Sequence, residues 1–562
     1  MKLATRLISS LEKVFPEAEL GAAPFESATA AKGEVFSFQL AIRSSGVNEH
    51  FAKQNRLCFE QLTLGVEAES KLPVEVRFVQ SVPVTVPAMV AESNYLSQTP
   101  GLYPDYLRPL GDDRCFRIPG GQYHALWVTV RVPEDCRAGK YPVKLVIRNA
   151  GNDRKFTAED QAVEAVFTLE VLPVKLDKQK LLRYEWFHID CLKSFYGVET
   201  WSEEHWRIIE NFIRNGVAHG LNVLLTPLWT PPLDTVPGGE RPTTQLLIIA
   251  KKGKKYTFDF SRLERYLKLA QACGITHFAM SHAFTQWGAK ATPKIVATVN
   301  GKEQRIFGWD VPSDSPDYAD FLRQLMPQLI ALLRKYKLEK NVFFSTSDEP
   351  TEENLESYRK AAKLLESLIE GLPTLEALSS FEFSKRNLVK IPVPSNNHIE
   401  PFVGNVKDLW TYYCVSQEDR VPNRFMAMGS ARNRVIGVIF YLYDIKGFLQ
   451  WGFNFYNSLL SIEAVNPFAD TCAGNWVPAG DAFIVYPNPD GTAGDSLRHE
   501  VFFDAIQDLR ALRTLEKKIG REAVVGMIHE GLNYEIKMTD YPRSADWLLQ
   551  LRERINRALT KK

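Results

Sequence analysis

The chain has 562 residues, too many for one hydrophobic core, so two or three domains are expected. A hydrophobic fraction of 45% and a charged fraction of 24% are those of an ordinary globular protein, and no uncharged stretch reaches membrane-spanning length. Lys and Arg total 68 against 67 for Asp and Glu, which removes the electrostatic case for a nucleic-acid partner. The short basic run Lys251-Lys252-Gly253-Lys254-Lys255 reads as an exposed turn. The seven cysteines are scattered, odd in number and without a C-x-x-C pair, which argues against a disulfide framework and a structural zinc site. Glu12 and Lys13 interrupt any apolar core of a signal peptide, so a cytoplasmic protein without membrane insertion is expected.

Residues 1–175 alternate like strands. Candidates are Glu34 to Ala41, Arg56 to Leu64, Val74 to Gln80, Tyr123 to Val132, Tyr141 to Arg148 and Ala162 to Leu172. In the last, Val163, Ala165, Phe167, Leu169 and Val171 share one face while Glu164, Thr168 and Glu170 share the other. Turn signals such as Pro119-Gly120-Gly121 separate the runs, and an N-terminal β-sandwich is predicted. Tyr103-Pro104-Asp105 reads as a turn, within reach of a neighbouring domain's cleft.

After the polar stretch Pro173 to Lys180 the rhythm becomes strand, helix, strand, the pattern of a parallel sheet. The strands read are Leu181 to Ile189, Asn222 to Leu228, Ile275 to Phe284, Val342 to Ser347, Thr374 to Ser380, Ile391 to Ser395, Asp408 to Cys414 and Gly447 to Phe455. Helices are read at Ser202 to His219, Ser261 to Cys273, Asp317 to Tyr336, Glu352 to Glu370 and Phe425 to Tyr443. The fifth and sixth units lack full helices. Eight strands are the number a (β/α)8 TIM-type barrel closes with, predicted over residues 181–515. A C-terminal helical extension, residues 516–562, follows a long helix at Leu497 to Ile519, with helices at Arg521 to Glu530 and Ser544 to Leu559.

In such a barrel, chemistry gathers at the C-terminal ends of the strands. The fourth strand ends in Asp348-Glu349, and Pro350 stops it. The other ends carry His188, Asp190, Trp229, His282, Trp287, Asn396, Asn397, Trp410, Tyr412, Tyr413, Trp451 and Asn454. Aromatic faces edged by hydrogen-bonding groups suit a sugar. Any one of these aromatics is more often core; their recurrence at strand ends argues for a site. His188 and Asp190 with His282 could hold a metal, but nothing else has ligand spacing, and no P-loop, dinucleotide fingerprint, H-E-x-x-H or nucleophile elbow is present. No metal, cofactor or nucleic-acid partner is expected. The expected partner is a glycan or glycoconjugate.

Four segments carry a family resemblance. They are Ser347-Asp348-Glu349-Pro350, Asp408 to Cys414, Ile445 to Asn454 and Gly480 to Pro487, joined by Ser496-Leu497-Arg498-His499-Glu500 and Tyr103-Pro104-Asp105. The chain resembles glycoside hydrolase family 123, the β-N-acetylgalactosaminidases. It departs from the pattern at Ala482, where glycine is common, and at Gln450, where members vary. The resemblance implies an N-terminal sandwich and a retaining, substrate-assisted mechanism in which the substrate's 2-acetamido oxygen attacks the anomeric carbon. By position, Asp348 is implied to polarise the acetamido N–H and Glu349 to protonate the leaving oxygen. His188, Asp190, His282, Trp287, Trp410, Tyr412, Tyr413, Trp451 and Asn454 are the expected substrate-binding residues. Hydrogen bonds from Tyr412 or Tyr413 are expected to keep Asp348 ionised. Adjacent strand residues face opposite ways, so both acids reach one sugar only if the strand bends. Two alternatives stay open: a glycosidase with an enzyme nucleophile, Asp190 being the candidate, and a non-catalytic glycan-binding protein.

Overall fold

The computed structural model describes residues 3–44, 61–92, 94–150 and 162–561. The N-terminal region is two five-stranded sheets. One runs Leu3–Ser9, Val35–Ser44, Tyr123–Arg131, Val74–Val84 and Gly101–Pro109; the other runs Ser27–Lys32, Val163–Lys175, Gly139–Asn149, Gln61–Glu69 and Cys115–Pro119. Alternation drives the pairing: Phe38, Leu40, Leu126 and Val128 from the first sheet and Leu145, Phe167, Leu169 and Val171 from the second fill one buried core. Phe38 and Phe167 stack across it with centroids 4.2 Å apart. Residues 56–60 of the strand read at Arg56 to Leu64 lie outside the described residues. The turn read at Tyr103-Pro104-Asp105 is instead the middle of strand Gly101–Pro109, with Asp105 fully buried.

The first sheet's other face carries Ala41, Val79, Leu107, Ala125 and Trp127, which pack with Leu497, Val501 and neighbours on the helix Leu497–Ile519. That helix runs unbroken through residue 515. The last helix, Ala545–Thr560, lies against the sheets, with Asn556 Nδ2 donating to Thr29 Oγ1 at 2.9 Å.

Each of the eight parallel strands read from the sequence is present, though shorter: Leu182–Glu185, Val223–Thr226, His277–Met280, Val342–Phe343, Leu375–Ala377, Ile391–Val393, Trp410–Tyr412 and Gly447–Gln450. Six form one sheet in the order fourth, third, second, first, eighth, seventh, and the fifth and sixth form a two-stranded sheet. Single parallel bridges, Phe344 to Thr374 and Ser395 to Tyr412, connect the two sets. Side chains on one face of these strands, among them Tyr184, Val223, Ala279, Phe343, Leu375, Val393, Trp410 and Leu449, make a common interior.

Three elements differ from the sequence reading. The first strand stops at Glu185, and Ile189 already opens a helix to Tyr196. The helix read at Phe425 to Tyr443 begins at Ser430, after an irregular stretch. A four-stranded sheet, Lys255–Asp259, Ile248–Lys252, Ile295–Val299 and Lys302–Phe307, adds strands that the sequence reading did not include. Its first hairpin turns at Gly253, where φ is +60°, so the basic run is the turn expected. No helix among the described residues is long and apolar enough to cross a membrane.

Candidate active site

The fourth parallel strand pairs only through Val342–Phe343, but the chain stays fixed to Glu349 by other bonds. Ser345 and Thr346 carbonyls accept from the amides of Ala283 and Phe284, each at 2.9 Å, and the Asp348 carbonyl accepts from Trp287 N at 2.8 Å. Ser347 Oγ donates to the Thr285 carbonyl at 2.8 Å and accepts from Ala289 N at 3.1 Å. At Glu349 the backbone is left-handed, φ +40°, a conformation costing roughly 1–3 kcal/mol in a residue with a side chain. This is the bend that the acid pair required, and Pro350 follows it. It places the two carboxyls on one side. Glu349 Oε1 accepts from Tyr412 Oη at 2.6 Å, and Asp348 acts on the Tyr184 hydroxyl; Tyr412 and Tyr184 both belong to the interior face.

Both acids bind protons more tightly than ordinary carboxyls. Burial raises Asp348 well above its usual range, and the carboxyls of Glu349, Glu376 and Asp234 push the same way. Burial also raises Glu349, while the Tyr412 hydroxyl holds it back. Each carboxyl therefore keeps its proton to a higher pH than a free one does. Asp348 is 8% exposed, and its Oδ1 has no hydrogen-bond partner.

The other expected site residues divide into distinct groups. Tyr412 touches Glu349. Trp287, 40% exposed at φ +59°, sits beside Asp348 through its amide. Trp451 is partly buried, its Nε1 donating to Asp481 Oδ2 at 2.9 Å. His282 is buried with Nδ1 unpartnered, edge-on to Trp186 at 5.7 Å, and burial lowers its pKa to about 3. His188 accepts from Arg241 at Nδ1 (3.1 Å) and donates from Nε2 to the Trp451 carbonyl (2.8 Å). Burial and Arg241 hold it neutral, with a pKa of about 3. Asp190 is gripped by the same guanidinium at 2.8 and 2.7 Å. Asn454 spends its amide on the backbone of His188, at 2.8 and 3.1 Å. These three form a buried scaffold behind Trp451.

Trp410 and Tyr413 are placed away from the acids. Trp410 is 1% exposed and lies flat on Gly447, where an added Cβ would come within 2.1 Å of its ring. Tyr413, one residue past Tyr412, faces the opposite side and packs on Phe448 at 4.9 Å. Neither tyrosine therefore supports Asp348 as expected: Tyr412 bonds Glu349 instead. Gln450 contacts no open space either. Its amide is taken by Arg424, Gly452 N and Asp481.

Sequence reasoning missed Arg241, Asp234, Asp481 and Glu376. Arg241 and Asp234 lie in an irregular loop with no motif. Asp481 was in a family segment but without a role; it is buried, holds Trp451 and has a pKa pushed up to about 7 by burial. Glu376 carried a legible signal: it is the one charge inside the apolar strand Leu375–Ala377.

Among the described residues, His219, Asp495 and His499 have the composition of a metal site. The two imidazoles stack 3.9 Å apart at 26°, so their lone pairs do not converge on one ion. Arg77 binds both Asp495 and Glu500, which makes this an ion-pair cluster.

The catalytic-domain model of glycoside hydrolase 123 matches residues 186–515, more than half of the chain. No curated protein matches. Among solved structures, a family 123 glycoside hydrolase from Clostridium perfringens, described for glycolipid glycan hydrolysis, is similar at TM-score 0.74 and 13% identity, covering 99% of this chain and 98% of that one. That likeness speaks for the fold. A Bacteroides uniformis β-glucuronidase (TM-score 0.31, 10% identity) covers 82% of this chain and 47% of its own, too distant to bear on it.

Proposed function

This chain belongs to glycoside hydrolase family 123 and is a glycoside hydrolase with a glycan substrate; from that premise we propose that it releases terminal β-linked N-acetylgalactosamine, or a related 2-acetamido sugar, by substrate-assisted catalysis. The observation that carries this reading is the bend at Glu349, which sets two adjacent, cation-free carboxyls side by side. The 2-acetamido carbonyl oxygen attacks the anomeric carbon as the glycosidic bond breaks. Glu349 gives its proton to the leaving oxygen. Its Oε1 is occupied by Tyr412, which leaves Oε2 to carry that proton. Asp348 accepts the acetamido N–H and balances the positive oxazolinium. The incoming N–H favours ionised Asp348, so the pair's proton resides on Glu349 when sugar is bound. Water then opens the oxazolinium with Glu349 as base, returning the β-configuration.

An enzyme nucleophile at Asp190 is disfavoured, because both of its oxygens are held by Arg241. We read the eight parallel strands as a (β/α)8 barrel of residues 181–515; the bridges Phe344 to Thr374 and Ser395 to Tyr412 support closure. Residues 1–175 then form a β-sandwich domain and 516–562 a helical extension. A glycolipid is a candidate natural substrate by likeness to the Clostridium perfringens enzyme. The six described cysteines are free, in keeping with a cytoplasmic protein.

A panel of aryl β-glycosides with and without the 2-acetamido group tests the reaction. Turnover confined to 2-acetamido sugars, with inhibition by a thiazoline mimic of the oxazolinium, is expected. Equal turnover of the plain β-galactoside would sink the substrate-assisted path.

A further inference from the structure

The segment that carries the acids lies beside the fifth parallel strand, yet its ladder to that strand is incomplete. Leu375 N donates to the Phe344 carbonyl at 2.9 Å, and Glu349 N reaches the Ala377 carbonyl at 3.2 Å. Between these two bonds, the acceptor that a parallel ladder would offer is diverted: Ser345 Oγ donates to the Leu375 carbonyl at 2.9 Å. The amide of Thr346 donates instead to a carboxyl oxygen of Glu376, and the amide of Ser347 faces the same carboxyl. Leu375 and Ala377 point into the interior, so Glu376 points outward, behind the acid-bearing turn. There its second oxygen has no hydrogen-bond partner, and the equally unpartnered hydroxyls of Thr346 and of Tyr358, from the helix Leu355–Glu366, lie near the carboxyl. Glu376 and Tyr358 are both 0% exposed.

We propose that Glu376 is a positioning residue for the acid pair: its side chain replaces the missing ladder acceptor at Thr346 and Ser347, and so fixes where Asp348 and Glu349 point. It rests on the reading of Asp348 and Glu349 as the reacting carboxyls, not on which sugar they cleave. A buried amide left without an acceptor is costly, so removing this side chain releases the turn rather than leaving it in place.

The neutral form of Glu376 is the working form. Burial lifts its pKa to about 8 against the hydrogen bond from the Thr346 amide. The groups facing it are the Tyr358 hydroxyl and the Asp348 carboxyl; Tyr184 faces both Glu376 and Asp348 from the first strand. Once ionised, Glu376 sets a second negative charge behind Asp348, which draws onto Asp348 the proton that Glu349 needs.

The experiment compares Glu376→Ala and Glu376→Gln with the wild type in the full chain, on whichever aryl glycoside the wild type hydrolyses, from pH 5 to 9. Reading each variant as a ratio to wild type keeps this test separate from the identity of the sugar. Glu376→Ala should lower kcat by about 10²-fold, the effect of misplacing reacting groups by an ångström, with KM little changed. Glu376→Gln, whose amide oxygen still accepts from Thr346 and Ser347, should recover most of that loss near pH 6 and extend activity at the alkaline end. If Glu376→Ala fails to fold, the pH profile of Glu376→Gln decides. An alkaline limb unmoved in Glu376→Gln, or a kcat in Glu376→Ala within about threefold of wild type, overturns the proposal.

Discussion

Glu185 and Asp348 stand near the C-terminal ends of two strands in the same parallel set, and both are buried, at 0% and 8% exposure. Their surroundings oppose each other. Glu185 accepts from Arg183 Nε at 2.9 Å and from Arg424 Nη1 at 2.8 Å. Burial pushes its pKa up, but the two guanidiniums overcome this and hold it at about 2. At Asp348 burial is joined by the carboxyls of Glu349, Glu376 and Asp234, and every charge raises it. The same pairing with arginine recurs behind the parallel strands. Arg498 grips Asp105 at 2.8 and 2.9 Å, and Glu500, next to Arg77, lies at about 2. Burial alone therefore does not decide how a carboxyl titrates. Two guanidiniums outweigh it at Glu185, while at Asp348 neighbouring carboxyls add to it.

The largest effect should come from breaking the cation-free side. Glu349→Gln cannot deliver a proton, and loss of roughly 10²–10⁴-fold in kcat/KM is expected for poor leaving groups. For a leaving group acidic enough to depart unaided the loss should shrink; an equal loss on both would remove the general-acid role. On the paired side the expected damage is to stability. Arg498→Ala strands the buried Asp105 carboxylate and costs about 3–5 kcal/mol, read from denaturant unfolding. Pairing it with Asp105→Leu should recover part of that loss. Recovery stays partial, because Arg498 also donates to the Gly480 and Phe483 carbonyls.

The paired acids also set the response to acid. Glu185 has a depressed pKa in the folded chain, so its contribution is complete above the ordinary value of 4.5 and is lost as pH falls toward about 2. That contribution is about 3 kcal/mol. The unfolding midpoint should therefore drop steeply between those values. A flat midpoint across that range would mean that the guanidiniums do not govern Glu185.

Which parts were legible in the sequence follows from how local the signal is. Eight apolar runs gave the eight parallel strands, because burial on both faces needs continuous hydrophobic residues. The acid pair was legible because strand end, double carboxylate and proline are contiguous. Tyr412 and Tyr413 show the limit: adjacent residues on a strand face opposite sides, and the sequence does not say which faces the acids. Trp410 shares the face of Tyr412 but lies deeper, beneath the level of the acids. Arg241 was out of reach, since it meets Asp190 across 51 residues of chain. Glu376 was within reach, a lone carboxylate in a three-residue buried strand.

The response to alkali separates the two kinds of acid most directly. Glu376 has a folded pKa of about 8 against an ordinary 4.5. Between those values the unfolded chain gives up this proton while the folded chain keeps it, so wild-type stability falls as pH rises. Below about 4.5 both states are protonated and no cost remains. Glu376→Gln has no proton to lose and keeps the acceptor for Thr346. It should match the wild type at pH 4 and exceed it by about 4 kcal/mol at pH 8, in denaturant unfolding. Glu185 has the opposite sign, adding stability where Glu376 removes it. A gain equal at pH 4 and pH 8 would trace to packing rather than charge, and would place Glu376 with the paired acids after all.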